Sequence, residues 1–140
     1  MTDYEIRIAS EDHREDVKRL MSSIYQGDVA ARYNWLYKSN PYGRAHTWLA
    51  IDRTTSKVVG CTSVFPRKVK VNGRYRMGSI GGDCFIEPRA RRQGLATRLH
   101  KASINDMPVQ RIEFMYGPPT PNNLGALIKA GSQFVTNYKR

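Results

Sequence analysis

A mixed α/β (α+β) domain is what this sequence predicts, and three observations carry the prediction. Strand-type texture fills the middle of the chain from Thr47 to Ile86, with an Asn72-Gly73 pair inside it that signals a hairpin. Helical spacing of apolar residues flanks that block, in Val17, Leu20, Met21 and Ile24 before it and in Leu95, Leu99 and Ala102 after it. Short apolar runs and turn residues then alternate to the C-terminus, without repeats, low-complexity tracts or an interdomain linker. Residues 1–140 are read as one domain, long enough for a single hydrophobic core.

The elements follow in order. "YEIRI" alternates and opens as a strand, with Ile6 and Ile8 on one face. Ser10 is placed to cap a helix whose first turn carries Glu11 and Asp12 on the positive end of the dipole. Gly27 and Asp28 break that helix, "VAARYNWLYKS" forms a second, and "NPYGR" is a turn cluster. "TWLAID", "KVVGCTSVF" and "KVKVNGRYRMGSIGGDCFI" read as strands. Gly81-Gly82 in the last of these marks a bulge or a close backbone approach, since glycine weakens a strand. A helix from Leu95 ends near Pro108; "RIEFMY" is a strand, "NNLGALIKA" a short helix and "SQFVTNY" a final strand.

Composition narrows the class. No apolar run approaches the ~20 residues that span a bilayer, and the N-terminus lacks the basic and apolar regions of an export signal. Cys61 and Cys84 lie in strand contexts and are read as reduced, buried thiols, so the cytoplasm is the expected location. The 23 Lys plus Arg exceed the 12 Asp plus Glu, a net charge of +11 that favours anionic partners. His13, His46 and His100 are far apart and no Cys/His spacing suggests a metal, so none is expected.

The stretch "IEPRARRQGLATRLHKA", residues 86–102, shows where an anion would sit. Gly94 lies where a loop enters a helix, and helix N-termini present unpaired N–H groups at the positive end of the dipole. Such a start binds phosphate, and Arg89, Arg91 and Arg92 add charged donors. An exposed basic turn is the alternative on charge alone.

The same residues resemble the acyl-CoA signature of the GNAT acyltransferase superfamily. Ile86 and Pro88 match its strand exit, Arg91, Gly94 and Ala96 its three defining positions, and Leu99 the helix leucine that follows. The resemblance extends over nearly the whole chain, including "YGPPTPNNLGALIKAG" near its end. It implies a mostly antiparallel, twisted sheet flanked by helices and an N-acyltransferase taking acetyl-CoA or another acyl-CoA as co-substrate. Backbone amides from Arg91 through Arg92, Gln93, Gly94, Leu95 and Ala96 to Thr97 would bind the pyrophosphate. The strand Cys84, Phe85 and Ile86 would pair with pantetheine, and Asn122 or Asn123 would contact or support it. Arg89, Arg92, Arg98 or Lys101 would meet the 3′-phosphate.

Acyl transfer needs a neutral amine, a donor to the developing oxyanion and a proton for the thiolate. Asp83 is the first candidate base and Glu87 the second; for Asp83 the alternative is a residue hydrogen-bonded to brace a bulge. The tyrosine that many members carry four residues before the last helix's terminal glycine is replaced by Leu127, so Tyr116 is the candidate acid. Ser132 stands where an aromatic follows that glycine, and Phe134 is expected to fill the space. Only nine residues follow Gly131, against two strands in the family, so a shortened C-terminus, a partner chain or a single inserted strand are the alternatives; a homodimer is the reading taken.

The acceptor is expected to be a small-molecule or protein amine, beside the aromatic segment that holds Tyr25, Tyr33, Trp35, Tyr37 and Tyr42. The basic chain favours a neutral or acidic acceptor over a polycation. A CoA-binding domain without turnover is the second reading and a basic nucleic-acid-binding protein the third. Arg67, Lys68, Lys70, Arg74 and Arg76 around the hairpin suit either a phosphate-binding patch or a solvated face, the latter preferred.

Overall fold

The computed structural model describes residues 2–136. Strand β1 (Tyr4–Ile8) leads through a 3-10 turn to helix α1 (Arg14–Ser22), then to α2 (Val29–Tyr33), which continues as one turn of π-helix, Asn34–Lys38. Strands β2 (His46–Asp52), β3 (Lys57–Val71) and β4 (Arg74–Ile86) follow. Helix α3 (Leu95–Asn105), strand β5 (Phe114–Tyr116) and helix α4 (Pro121–Lys129) complete the order. The strands make one sheet in sequence order, antiparallel except for the last pair, β4 with β5. Helix α3 lies in the crossover that a parallel pair demands.

Alternation on β2 builds both faces of the core. Leu49 and Ile51 point into a cluster with Val17, Leu20 and Met21 of α1 and with Tyr37, Cys61 and Phe85. Trp48 and Ala50 point the other way, to Tyr4, Val59, Leu95 and Leu99 beneath α3. Asp28 caps α2 through the Ala31 amide at 2.9 Å. Helix α1 stops at Ser22, so Ile24 falls beyond the apolar stripe expected to include it and is 57% exposed.

Strand β3 is longer than the two runs read from sequence, because Pro66 does not interrupt it. Pairing with β2 ends at Val64, so a residue without an N–H forfeits no bond on that side. Asn72 and Gly73 turn the chain with φ of 49° and 79°, as a tight hairpin requires. Strand β5 is shorter than "RIEFMY", because turns closed by Gln110 N–H to Asp106 O and Arg111 N–H to Pro108 O carry the chain up to it. Residues 132–136 of the expected final strand form none, and 137 and 138 lie outside the described residues. Phe134 is 58% exposed and does not fill the space after Gly131.

Candidate active site

The site forms where β4 leaves the sheet. Its partner β3 stays paired through Phe85 and Ile86, but pairing with β5 stops at Ile80–Tyr116. From Gly81 to Ile86, therefore, the edge of β4 away from β3 carries no strand among the described residues. At the fork the two chains touch by backbone: a Cβ on Gly117 would stand 3.1 Å from the Gly81 carbonyl oxygen. Cys84, Phe85 and Ile86 all lie along this open edge.

Beyond Ile86 the loop is shaped to present amides. Glu87 N–H bonds Val59 O at 2.8 Å, Pro88–Ala90 makes a 3-10 turn and Ala90 is buried. Arg92 and Gly94 have φ of 60° and 76°, and Gly94 is the N-cap of α3 without a side-chain cap. The first helical bond back to the cap runs from Arg98 N–H to Gly94 O at 3.1 Å. Amides of Leu95, Ala96 and Thr97 precede it and point out of the helix start. Nothing lies within 4 Å of a Cβ built on Gly94, so its left-handed φ is what calls for glycine.

The arginines divide by task. Arg91 ties the loop to the strand through Nε to Ile86 O at 2.9 Å, and Arg89 bonds Glu87 at 3.0 Å and Asp52 at 3.3 Å. Arg92, exposed beside Gln93, has no hydrogen bond or ion pair among the described residues. Asn122 is exposed at the start of α4, whereas the Asn123 side-chain carbonyl lies 3.0 Å from Nε2 of buried His100 and bridges the two helices. Burial lowers the His100 pKa, against the opposing effect of that bond.

Asp83 is the centre of a polar cluster. Thr62 of β3 faces both Asp83 and Cys84, a bulge that puts Asp83 at φ 54°. Its carboxylate receives both Nη atoms of Arg32, one at 2.9 Å, and the Tyr37 hydroxyl at 2.8 Å. Ser63 Oγ donates to Tyr37 Oη at 3.1 Å and lies 2.9 Å from Thr47 Oγ1, which extends the chain of hydroxyls across β3 to β2. Burial first, and then the Asp83 charge, raises the Tyr37 phenol well above its ordinary value. The hydrogen bond to Asp83 raises Arg32 despite partial burial. The π-turn helps deliver Tyr37: the Ser39 amide reaches back to Asn34 O at 2.8 Å, and Tyr33 stacks on Tyr37 at 4.7 Å.

Neither of the other candidate groups joins this cluster. Glu87 is held by Arg19 at 2.8 Å, Lys57 at 3.2 Å and Arg89. Burial raises its pKa, but these hydrogen bonds outweigh burial and hold the carboxyl below its usual range. Tyr116 is 45% exposed at the last paired position of β5, its ring 6.0 Å from Phe114. Cys84 is half-buried, and burial pushes its thiol up to about 11.

The sequence reading set Tyr37 among the aromatics and missed Arg32 altogether. A faint signal existed in Thr47, Thr62 and Ser63, hydroxyls inside apolar strand runs, since buried polar groups require partners. Among the described residues no group of three or more His, Cys, Asp or Glu is arranged to hold a metal ion. None of their helices is long and apolar enough to cross a membrane.

An open sheet that forks beside a glycine-led helix N-terminus is an architecture shared with solved acetyltransferases. The acetyltransferase (GNAT) domain family matches residues 5–123, and the chain belongs to that family and is an acetyltransferase. A predicted acetyltransferase with acetyl-CoA from Clostridium acetobutylicum superposes with a TM-score of 0.76 at 13% identity, covering 99% of this chain and 95% of that one. Glucosamine-6-phosphate N-acetyltransferase from Arabidopsis thaliana gives 0.73 at 12% identity over 99% and 97% of the two chains. An aminoglycoside N-acetyltransferase in complex with CoA gives 0.68 at 18% identity over 100% and 96%. No curated protein sequence matches the chain.

Proposed function

We propose that the protein transfers acetyl from acetyl-CoA to a primary amine by direct attack on the thioester. The observation that carries this reading is the adjacency of two features: unpaired amides at the start of α3 and the open edge of β4 that leads into them. The amides of Arg92 to Thr97 hold the pyrophosphate, that of Arg91 being bonded to Pro88 O, with Arg92 as a cation beside them, and the open edge at Cys84–Ile86 pairs with the amide-bearing pantetheine arm. Asn122 is free to reach that arm, and Asn123 supports it from its bond to His100.

The amine nitrogen attacks the carbonyl carbon, the C–S bond breaks, the nitrogen loses a proton and the thiolate gains one. An alkylammonium near pKa ~10 must give up that proton at neutral pH, a cost of about 4 kcal/mol. Asp83 is the proton acceptor in this scheme, on the stretch of β4 beside the fork. Both of its oxygens already accept from Arg32 and Tyr37, so it takes the proton through a water rather than by direct contact with the amine. Tyr116 is the proton donor to sulfur, and Glu87, clasped by three cations, braces the loop. Holding the reactants together in the fork supplies much of the rate. The net charge of +11 favours a neutral or acidic amine as acceptor.

A second reading, CoA binding without turnover, draws support from the engagement of Asp83 and Glu87 in ion pairs. Thermal unfolding with acetyl-CoA, CoA and phosphate tests the shared donor site. Ligand at 100 times its Kd stabilises by about 2.7 kcal/mol, a rise of several degrees. No rise with either thioester or thiol overturns both readings. A rise followed by no amine-dependent thiol release across an amine panel overturns turnover alone.

A further inference from the structure

We propose that the β3–β4 hairpin is a nucleic-acid-binding arm, with the phosphodiester backbone as its ligand. Beyond Val64 strand β3 has no β2 neighbour, and β4 meets β5 only from Gly78 onward. From Lys68–Met77 to Val71–Arg74 the chain is therefore a two-stranded ribbon, tied to the sheet at its base, where Met77 O accepts the Glu113 N–H at 2.9 Å. A ribbon of this kind gains little stability alone in water, so its retention calls for another use.

Its charge is all of one sign. From residue 53 to 82 the chain has no Asp or Glu and seven Lys or Arg. Lys68, opposite Met77, and Lys70, opposite Tyr75, share one face of the ribbon, while Arg74 and Arg76 lie on the other. Only Arg76 meets an acid, Glu113 at 3.0 Å; Lys68, Lys70 and Arg74 are exposed and in no ion pair among the described residues. Lys68 and Lys70 instead sit over the Tyr75 ring, with Nζ 4.5 and 6.0 Å from its centre, and Tyr75 is 64% exposed.

Cations on both faces around an exposed aromatic suit a linear polyanion with stackable bases. A two-stranded ribbon also fits the major groove of a duplex. The polar tip, Asn72-Gly73, offers no apolar wedge for a lipid surface. An acidic protein would call for an apolar centre to its interface, and the ribbon's exposed apolar side chains are only Val71 and Tyr75.

The test is fluorescence anisotropy with labelled single-stranded and duplex oligonucleotides across salt, beside anionic phosphatidylserine vesicles. Three neutralised phosphates on a single strand give a slope near −2, so affinity falls roughly 20-fold between 50 and 200 mM salt. Lys68→Ala with Lys70→Ala and Arg74→Ala is expected to abolish that binding and leave the acetyl-CoA thermal shift unchanged. Tyr75→Ala weakens single strands more than duplex if bases stack, and both equally if the ribbon enters a groove. No binding at 50 mM salt, or binding and slope unaltered in the triple variant, overturns the proposal and leaves the cations as guards of an open strand edge. Vesicle binding that depends on the same three residues and exceeds oligonucleotide binding overturns it in favour of a membrane surface.

Discussion

Replacing Asp83 by Asn probes what holds the bulge of β4. Asn keeps the side-chain shape and, like Asp, tolerates the left-handed φ of 54°, so the substitution removes the charge and sets an NH2 donor in place of one oxygen that accepts from Arg32 or Tyr37. Arg32 and Asp83 side chains are 23% and 10% exposed, which places the pair among part-buried ion pairs. Removing one partner of a buried pair costs 3–5 kcal/mol, and residual access of water to Arg32 sets the expectation at the lower end, about 3 kcal/mol. For a chain of this length that is a fall in Tm of about 10 °C. Urea unfolding of the parent, Asp83→Asn, Arg32→Ala and the double variant gives the coupling directly, expected at 1–2 kcal/mol. Asp83→Ala is expected to lose about 1 kcal/mol more than Asn, from the strain of a positive φ. If Asp83→Asn stays within ~0.5 kcal/mol of the parent, solvent screens the pair and it does not hold the bulge.

Gly94→Glu places bulk and negative charge at the start of α3 and is expected to abolish the acetyl-CoA thermal shift, whereas Gly94→Ala loses about 1 kcal/mol of stability through its φ of 76°. Cys84, with its thiol near 11, is expected to alkylate roughly 200-fold more slowly at pH 8 than an unperturbed thiol, followed by mass spectrometry of the native protein. Because folding raises that pKa, the associated stability is complete below pH ~8.5 and declines as pH rises towards 11. The lowered pKa of His100 has the opposite sense: its contribution is present above pH ~6.5 and is lost as pH falls, so His100→Gln is expected to flatten the stability profile between pH 7 and 5.

Legibility followed the range of the interactions. The turn at Asn72-Gly73 and the glycine at the start of α3 are local rules of backbone conformation, and each stands where residues alone place it. The parting of β4 and β5 was not legible, because pairing partners far apart in sequence leave no local trace. Arg32 and Asp83 are 51 residues apart and Tyr37 reaches the same carboxylate from a π-turn, an irregularity that helical periodicity does not encode. The sequence indicated an Asp beside two glycines at a bulge; it did not indicate what the Asp would hold.

The π-turn at Asn34–Lys38 and the bulge at Asp83 are each one residue longer than the regular element that would replace them. Deleting a residue from the turn would restore an α-helix and remove the wide turn from which Tyr37 meets the carboxylate. Deleting a residue from the bulge would keep the pairs Ser63–Gly82 and Cys61–Phe85 and leave one residue opposite Thr62, removing the left-handed turn that presents Asp83. Two insertions that are separately awkward meet at one hydrogen bond of 2.8 Å. Loss of either insertion therefore removes one partner of that bond and leaves the other without it.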